Sequence, residues 1–152
     1  MPAAPQCLVI GYGNTLRRDD GVGVEVAQAV AAMNLPGVNV ITSHQLVPEL
    51  AEPISRANAV IFVDADVAAT GRPKLRPIEA APASQTFAHA ANPGSLLALA
   101  REVFNGSPRA WSLAVPVEDF SFGFGLSPRS KKALDAAVKA IERFTTGLAK
   151  IA

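Results

Sequence analysis

At 152 residues, with 49% hydrophobic and 18% charged side chains, the chain is long enough to bury one core without disulfides or a structural metal. A net charge of +1, from 14 basic and 13 acidic residues, excludes the sign-biased field of a nucleic-acid binder. No apolar run approaches the ~18 residues needed to cross a bilayer, and residues 1–5 lack the basic and apolar regions of a signal peptide; a single domain over 1–152, cytoplasmic and with no membrane partner, is expected.

The run Cys7-Leu8-Val9-Ile10 reads as a buried strand, and 22–30 as a helix packed on it. Cys7, the single cysteine, reads as a small buried hydrophobe rather than a nucleophile. The turn between strand and helix carries Asp19 and Asp20. In open α/β sheets ligands bind outside the carboxyl ends of the strands, so acids at this crevice are placed for metal or proton chemistry. Gly11-x-Gly13 also begins a dinucleotide-binding loop, but Leu16 stands where a small residue should let helix and strand approach. A pyrophosphate would also meet two carboxylates, so no nucleotide is expected. Asp20 has a plainer reading as the cap of the helix at Gly21.

After the breaker Leu35-Pro36-Gly37, residues 38–42 alternate as a second strand and complete a βαβ unit. A helix is expected over 47–58, with Pro48 near its first turn and Pro53 kinking or shortening it. Residues 59–63 are apolar at every position, as in a parallel strand covered on both faces, and they end on Asp64-Ala65-Asp66. The turn Gly71-Arg72-Pro73 leads into a short strand over 74–78, whose Pro77 argues for a sheet edge and antiparallel pairing. Residues 80–91 read as a loop carrying His89, and Pro93-Gly94-Ser95 opens a helix that runs to 104. The last strand falls at 110–115, and Ser127-Pro128 starts a final helix from 129 to about 150, with Leu134, Val138, Ile141 and Leu148 on one apolar face. Phe120, Phe122 and Phe124 read as a loop packed on the core, with a partner surface as the alternative. This order predicts an α/β fold: a three-layer αβα sandwich around a mostly parallel, about five-stranded twisted sheet that admits one antiparallel edge strand.

Such a sheet can gather Asp20, Asp64 and His89 from distant sequence. Two carboxylates and an imidazole suit a divalent transition metal, nickel or zinc, with open positions. Taken singly, Asp64 also fits a turn with Asp66, and His89 an ordinary loop histidine. His44 fits a supporting place behind the same rim, or a helix entry. There is no H-E-x-x-H and no G-x-S-x-G, which excludes a self-sufficient zincin and a serine hydrolase of the nucleophile-elbow type. Asn14 and the backbone around Gly11 and Gly13 are candidates for orienting a substrate tail or an oxyanion, against a loop-stabilising role for Asn14.

The run Gly11-Tyr12-Gly13-Asn14-Thr15-Leu16 with Asp19-Asp20-Gly21-Val22-Gly23, then Val63-Asp64-Ala65, then His89 before a helix, resembles the nickel-iron hydrogenase maturation proteases. The likeness spans nearly the whole chain, since Val115-Pro116-Val117-Glu118 and Gly125-Leu126-Ser127-Pro128 look like that family's closing region. It implies an endopeptidase of aspartic, nickel-assisted type that removes a C-terminal extension from the hydrogenase large-subunit precursor once nickel is in place. Asp20, Asp64 and His89 would be the metal-contacting residues, and Asp20 and Asp64 the catalytic pair. That family's first acid is Glu or Asp, and this chain has the shorter one. Nickel would arrive with the substrate, so that only a metal-loaded precursor is held in register. A non-enzymatic nickel-sensing or chaperoning module on the same scaffold is the alternative, and only the protease shortens the large subunit.

Overall fold

The computed structural model describes residues 7–82 and 91–151. Five strands, β1 (Cys7–Tyr12), β2 (Val38–Ser43), β3 (Ala59–Asp66), β4 (Lys74–Ile78) and β5 (Arg109–Pro116), form one sheet in the order β2-β1-β3-β5-β4. All neighbours are parallel except β4, which runs antiparallel to β5 at the edge expected from Pro77. Alternation along each strand sorts the core into two layers. Val9 and Ile61 face α1 (Val22–Ala32) and α4 (Pro128–Ile151), whereas Ile10 and Phe62 face α2 (Ala51–Arg56) and α3 (Pro93–Phe104). The predicted αβα sandwich is therefore observed.

The chain leaves β1 for β2 on one side and returns to β3 on the other, so the strand order reverses between β1 and β3. Crossovers diverge at such a point and open a crevice above the strand ends. Close packing of α1 over this point requires glycine at Gly23, where a Cβ would stand 2.5 Å from the Val63 carbonyl oxygen and 2.7 Å from that of Tyr12. The small residue that brings helix and strand together is thus Gly23 rather than the residue at position 16, and Leu16 lies exposed in the loop.

Two sequence expectations need correction. The helix over 47–58 is a 3-10 turn at Pro48–Leu50 followed by the short α2, because Pro53 falls in the first turn of α2, where its missing N–H costs no helical bond. On α4 the deeply buried stripe is Ala133, Ala137, Ile141 and Thr145, while Leu134, Val138 and Leu148 lie only partly covered beside it. Thr145 is accommodated because its hydroxyl donates to the Ile141 carbonyl at 2.9 Å.

Cys7 is 2% exposed in the core under α1, and burial pushes its thiol up to about 12. Cys7→Ser is therefore expected to keep the fold while losing ~1–2 kcal/mol of stability, as a hydroxyl is stranded among apolar atoms. Denaturant melts and thiol-reagent labelling check this; stoichiometric labelling of the folded protein would contradict it.

Candidate active site

Tyr12 ends β1 and Asp64 approaches the end of β3. Because Gly11 pairs with Val63, the next residues on the two strands stand side by side at the crevice. The Tyr12 hydroxyl donates to the Asp64 carboxylate. Burial raises the Asp64 pKa, and the charges of Asp20 and Asp66 add to this, outweighing the bonds from Tyr12 and the Ala65 backbone N–H. Burial and the neighbouring Asp64 likewise push the Tyr12 phenol up, so it remains a proton donor at neutral pH. Sequence reasoning gave Tyr12 no role, although its place at the end of the first strand was the available signal.

Asp20 belongs to a 3-10 turn, Arg18–Gly21, that leads into α1. Gly21 is the helix cap and receives no side-chain bond; Asp20 Oδ2 instead accepts the Asn14 N–H at 2.9 Å, which removes the capping explanation for this acid. Asn14 Oδ1 accepts the Leu16 N–H at 2.9 Å, so Asn14 shapes the loop, and its own N–H holds Asp20. Gly13, at φ +142°, lies against the Asp20 carbonyl, where a side chain has no room. Gly11 is buried in β1, where an added Cβ would meet the Gly23 carbonyl oxygen and Ala27.

A cleft of about 710 Å³ brings Tyr12, Gly13, Asp20, His44 and Asp64 together beneath the Asn92-Pro93 entry of α3. His44 is exposed and lines the same cleft. His89 lies outside the described residues. Among the described residues no three His, Cys, Asp or Glu side chains converge as a metal site.

Asp19 points the other way and is fully buried. Its Oδ2 accepts the N–H groups of Glu118 and Asp119 at 3.0 and 2.9 Å and the Ser127 hydroxyl at 2.8 Å, and its Oδ1 accepts the Ser127 N–H at 2.8 Å. Burial alone would raise its pKa; the backbone bonds from Ser127, Glu118 and Asp119 and the Ser130 hydroxyl outweigh that and hold it at about 2. Ser127 in turn accepts the Ser130 N–H at 3.2 Å and so caps α4, as its place before Pro128 suggested.

In the segment that Asp19 ties down, Phe120 packs on the core but Phe122 and Phe124 are 79% and 76% exposed, which corrects the expectation of a packed aromatic loop. Arg17 lies 5.2 Å from the Phe122 ring centroid and donates to the Phe120 carbonyl at 3.2 Å, while Arg18 donates to the Phe124 carbonyl at 3.1 Å.

This fold is that of the hydrogenase maturation endopeptidases. The chain is similar to the hydrogenase-maturating endopeptidase HybD from E. coli, with a TM-score of 0.67 and 20% identity over 90% of this chain and 89% of that one. It is similar also to the hydrogenase 2 maturation peptidase from Thaumarchaeota archaeon SCGC_AB-539-E09, at TM-score 0.66 and 20% identity over 94% and 99% of the two chains. The NiFe hydrogenase maturation protease HycI from Thermococcus kodakarensis KOD1 gives 0.67 and 17% over 96% and 93%. No protein-family model matches the chain, and no curated protein matches it in sequence.

Proposed function

We propose that this protein is an endopeptidase that removes the C-terminal extension of a nickel-loaded hydrogenase large subunit. The observation that carries this reading is the meeting of Asp20 and Asp64 in one open cleft at the switch point of the sheet, on the fold of the hydrogenase maturation endopeptidases. Asp20, Asp64 and His89 contact the nickel of the precursor and supply ligands it lacks. The carboxylate pair handles the water: Asp64 takes one proton as the hydroxyl adds to the scissile carbonyl carbon, and it returns that proton to the amine as the C–N bond breaks. The Tyr12 hydroxyl fixes the orientation of Asp64 during both transfers. Two carboxylates and one imidazole are too few for tight capture of free nickel, so the metal comes with the substrate, whose softer donors suit it.

The test incubates the protein with nickel-loaded and metal-free large-subunit precursor in parallel and reads the mass of each. The nickel-loaded form is expected to lose its extension and the metal-free form to stay intact. Efficient cleavage of the metal-free form would overturn nickel as the recognition handle. Binding of the loaded form without shortening would favour a chaperoning role instead.

A further inference from the structure

The active-site cleft does not end at Asp64. It shares Tyr12, Asp64 and Pro93 with a second cavity of about 520 Å³. That cavity shares Asp66, Ser112 and Ala114 with a third, of about 430 Å³, walled by Arg72, Lys74 and Arg76. The strand register explains the continuity. Asp64 on β3 pairs with Ala114 on β5, Ala114 pairs with Lys74 on β4, and Ser112 pairs with Arg76. Two small residues thus form the floor between the carboxylate and the cations, and Lys74 and Arg76, two apart on a strand, lie on the same face of the sheet.

All three cations are exposed, and none has an ion-pair partner among the described residues. Asp66 is the acid at this end of the groove, and its Oδ1 accepts the Ala68 N–H at 2.9 Å within its own turn. The two ends of the groove differ in kind. The cleft at the Asp20 end encloses about 710 Å³, whereas the β4 end encloses about 430 Å³ and is walled by three cations.

Resting on the endopeptidase reading, we propose that the channel over β5 receives the released side of the precursor and that Arg72, Lys74 and Arg76 bind a carboxylate on it. Neighbouring strands are ~4.8 Å apart, so the two strand spacings from Asp64 to Lys74 are covered by about three residues of extended peptide. The group recognised is therefore an acidic side chain, or the chain's terminal carboxylate, beginning about three residues beyond the scissile bond. Each cation is solvent-facing, so the attraction weakens with added salt.

The experiment has a cleavage arm and a binding arm, each comparing the wild-type protein with K74E/R76E. With nickel-loaded precursor, the variant is expected to show kcat/KM reduced at least ~10-fold, mainly through KM, because the lost contact is remote from the reacting bond. A precursor carrying lysines in place of the acids on its extension should restore the variant. In the binding arm, fluorescence anisotropy follows a short fluorescein-labelled peptide carrying consecutive glutamates, its glutamine counterpart, and C-terminally amidated forms of both. Binding lost with glutamine assigns the side chains; binding lost on amidation assigns the terminal carboxylate; either supports the site. If the wild type shortens the precursor and the variant matches it in kcat/KM and in peptide binding, the carboxylate site is overturned while the endopeptidase reading stands. If neither protein shortens the precursor but the glutamate peptide binds the wild type alone, the site stands and the endopeptidase reading fails. Absence of both activities overturns both.

Discussion

Asp64→Asn is expected to lower kcat/KM on the nickel-loaded precursor by at least ~10³-fold while leaving the fold intact, and Asp20→Asn to do the same. An amide keeps the shape of the carboxylate but cannot take a proton from water, and a positioned base contributes ~10²–10⁴-fold on its own. The direction of the stability change separates this from a structural effect. The folded pKa of Asp64 lies above its ordinary value, so holding it ionised at neutral pH opposes folding, and that penalty is relieved as pH falls. Replacing it with neutral Asn should leave the melting temperature unchanged or raise it. The acid limb of the kcat/KM profile, which reports the free protein, should also be shifted upward from that of an unperturbed aspartate. Tyr12→Phe should push it further up, because the Tyr12 bond holds Asp64 down. Mass spectrometry of the precursor across pH, beside thermal melts, reads all of this; near-normal processing by either asparagine variant would remove that residue from the proposed catalytic pair.

The neighbouring acid should behave in the opposite way. Asp19→Asn is expected to destabilise the protein by ~2–4 kcal/mol, since an amide nitrogen must replace one acceptor oxygen among the N–H groups of Glu118, Asp119 and Ser127 in a fully buried place. The folded pKa of about 2 lies below the ordinary 3.8, so the stabilisation from this carboxylate is complete above pH 3.8 and is lost as pH falls through about 2. The shift corresponds to ~2 kcal/mol, using about 1.4 kcal/mol per pH unit. Denaturant unfolding between pH 2 and 6 should show a decline in the wild type that the Asn variant lacks. Equal slopes for the two proteins would show that Asp19 is not the titrating anchor.

The sheet was legible because each strand carries its own local signal. The unbroken apolar run before Asp64 requires cover on both faces, and Pro77 requires an edge, and both hold. That Asp20 and Asp64 reach one cleft was legible for a related reason, as an acid near the carboxyl end of a strand and one in the turn between that sheet and its helix fall where the sheet ends. What stayed hidden depends on partners far away in sequence. Asp19 and Asp20 are adjacent and chemically identical, and only the return of residues 118–127 to the turn separates a buried anchor from a cleft carboxylate. The exposure of Phe122 and Phe124 was hidden likewise, for their neighbours Arg17 and Arg18 are bound by bonds that span about a hundred residues.

The anchoring of Asp19 bears on any attempt to transplant or redesign this centre. Consecutive residues of a 3-10 turn project ~120° apart, so fixing one side chain in the interior sets the heading of the next. The aim of Asp20 is therefore governed from the carboxyl-terminal third of the chain, by the backbone at Glu118, Asp119 and Ser127. A graft consisting of the glycine-rich turn and its two acids would carry the right atoms with nothing to hold their bearing. The smallest portable unit is the turn together with the stretch that clasps it, through the first turn of α4.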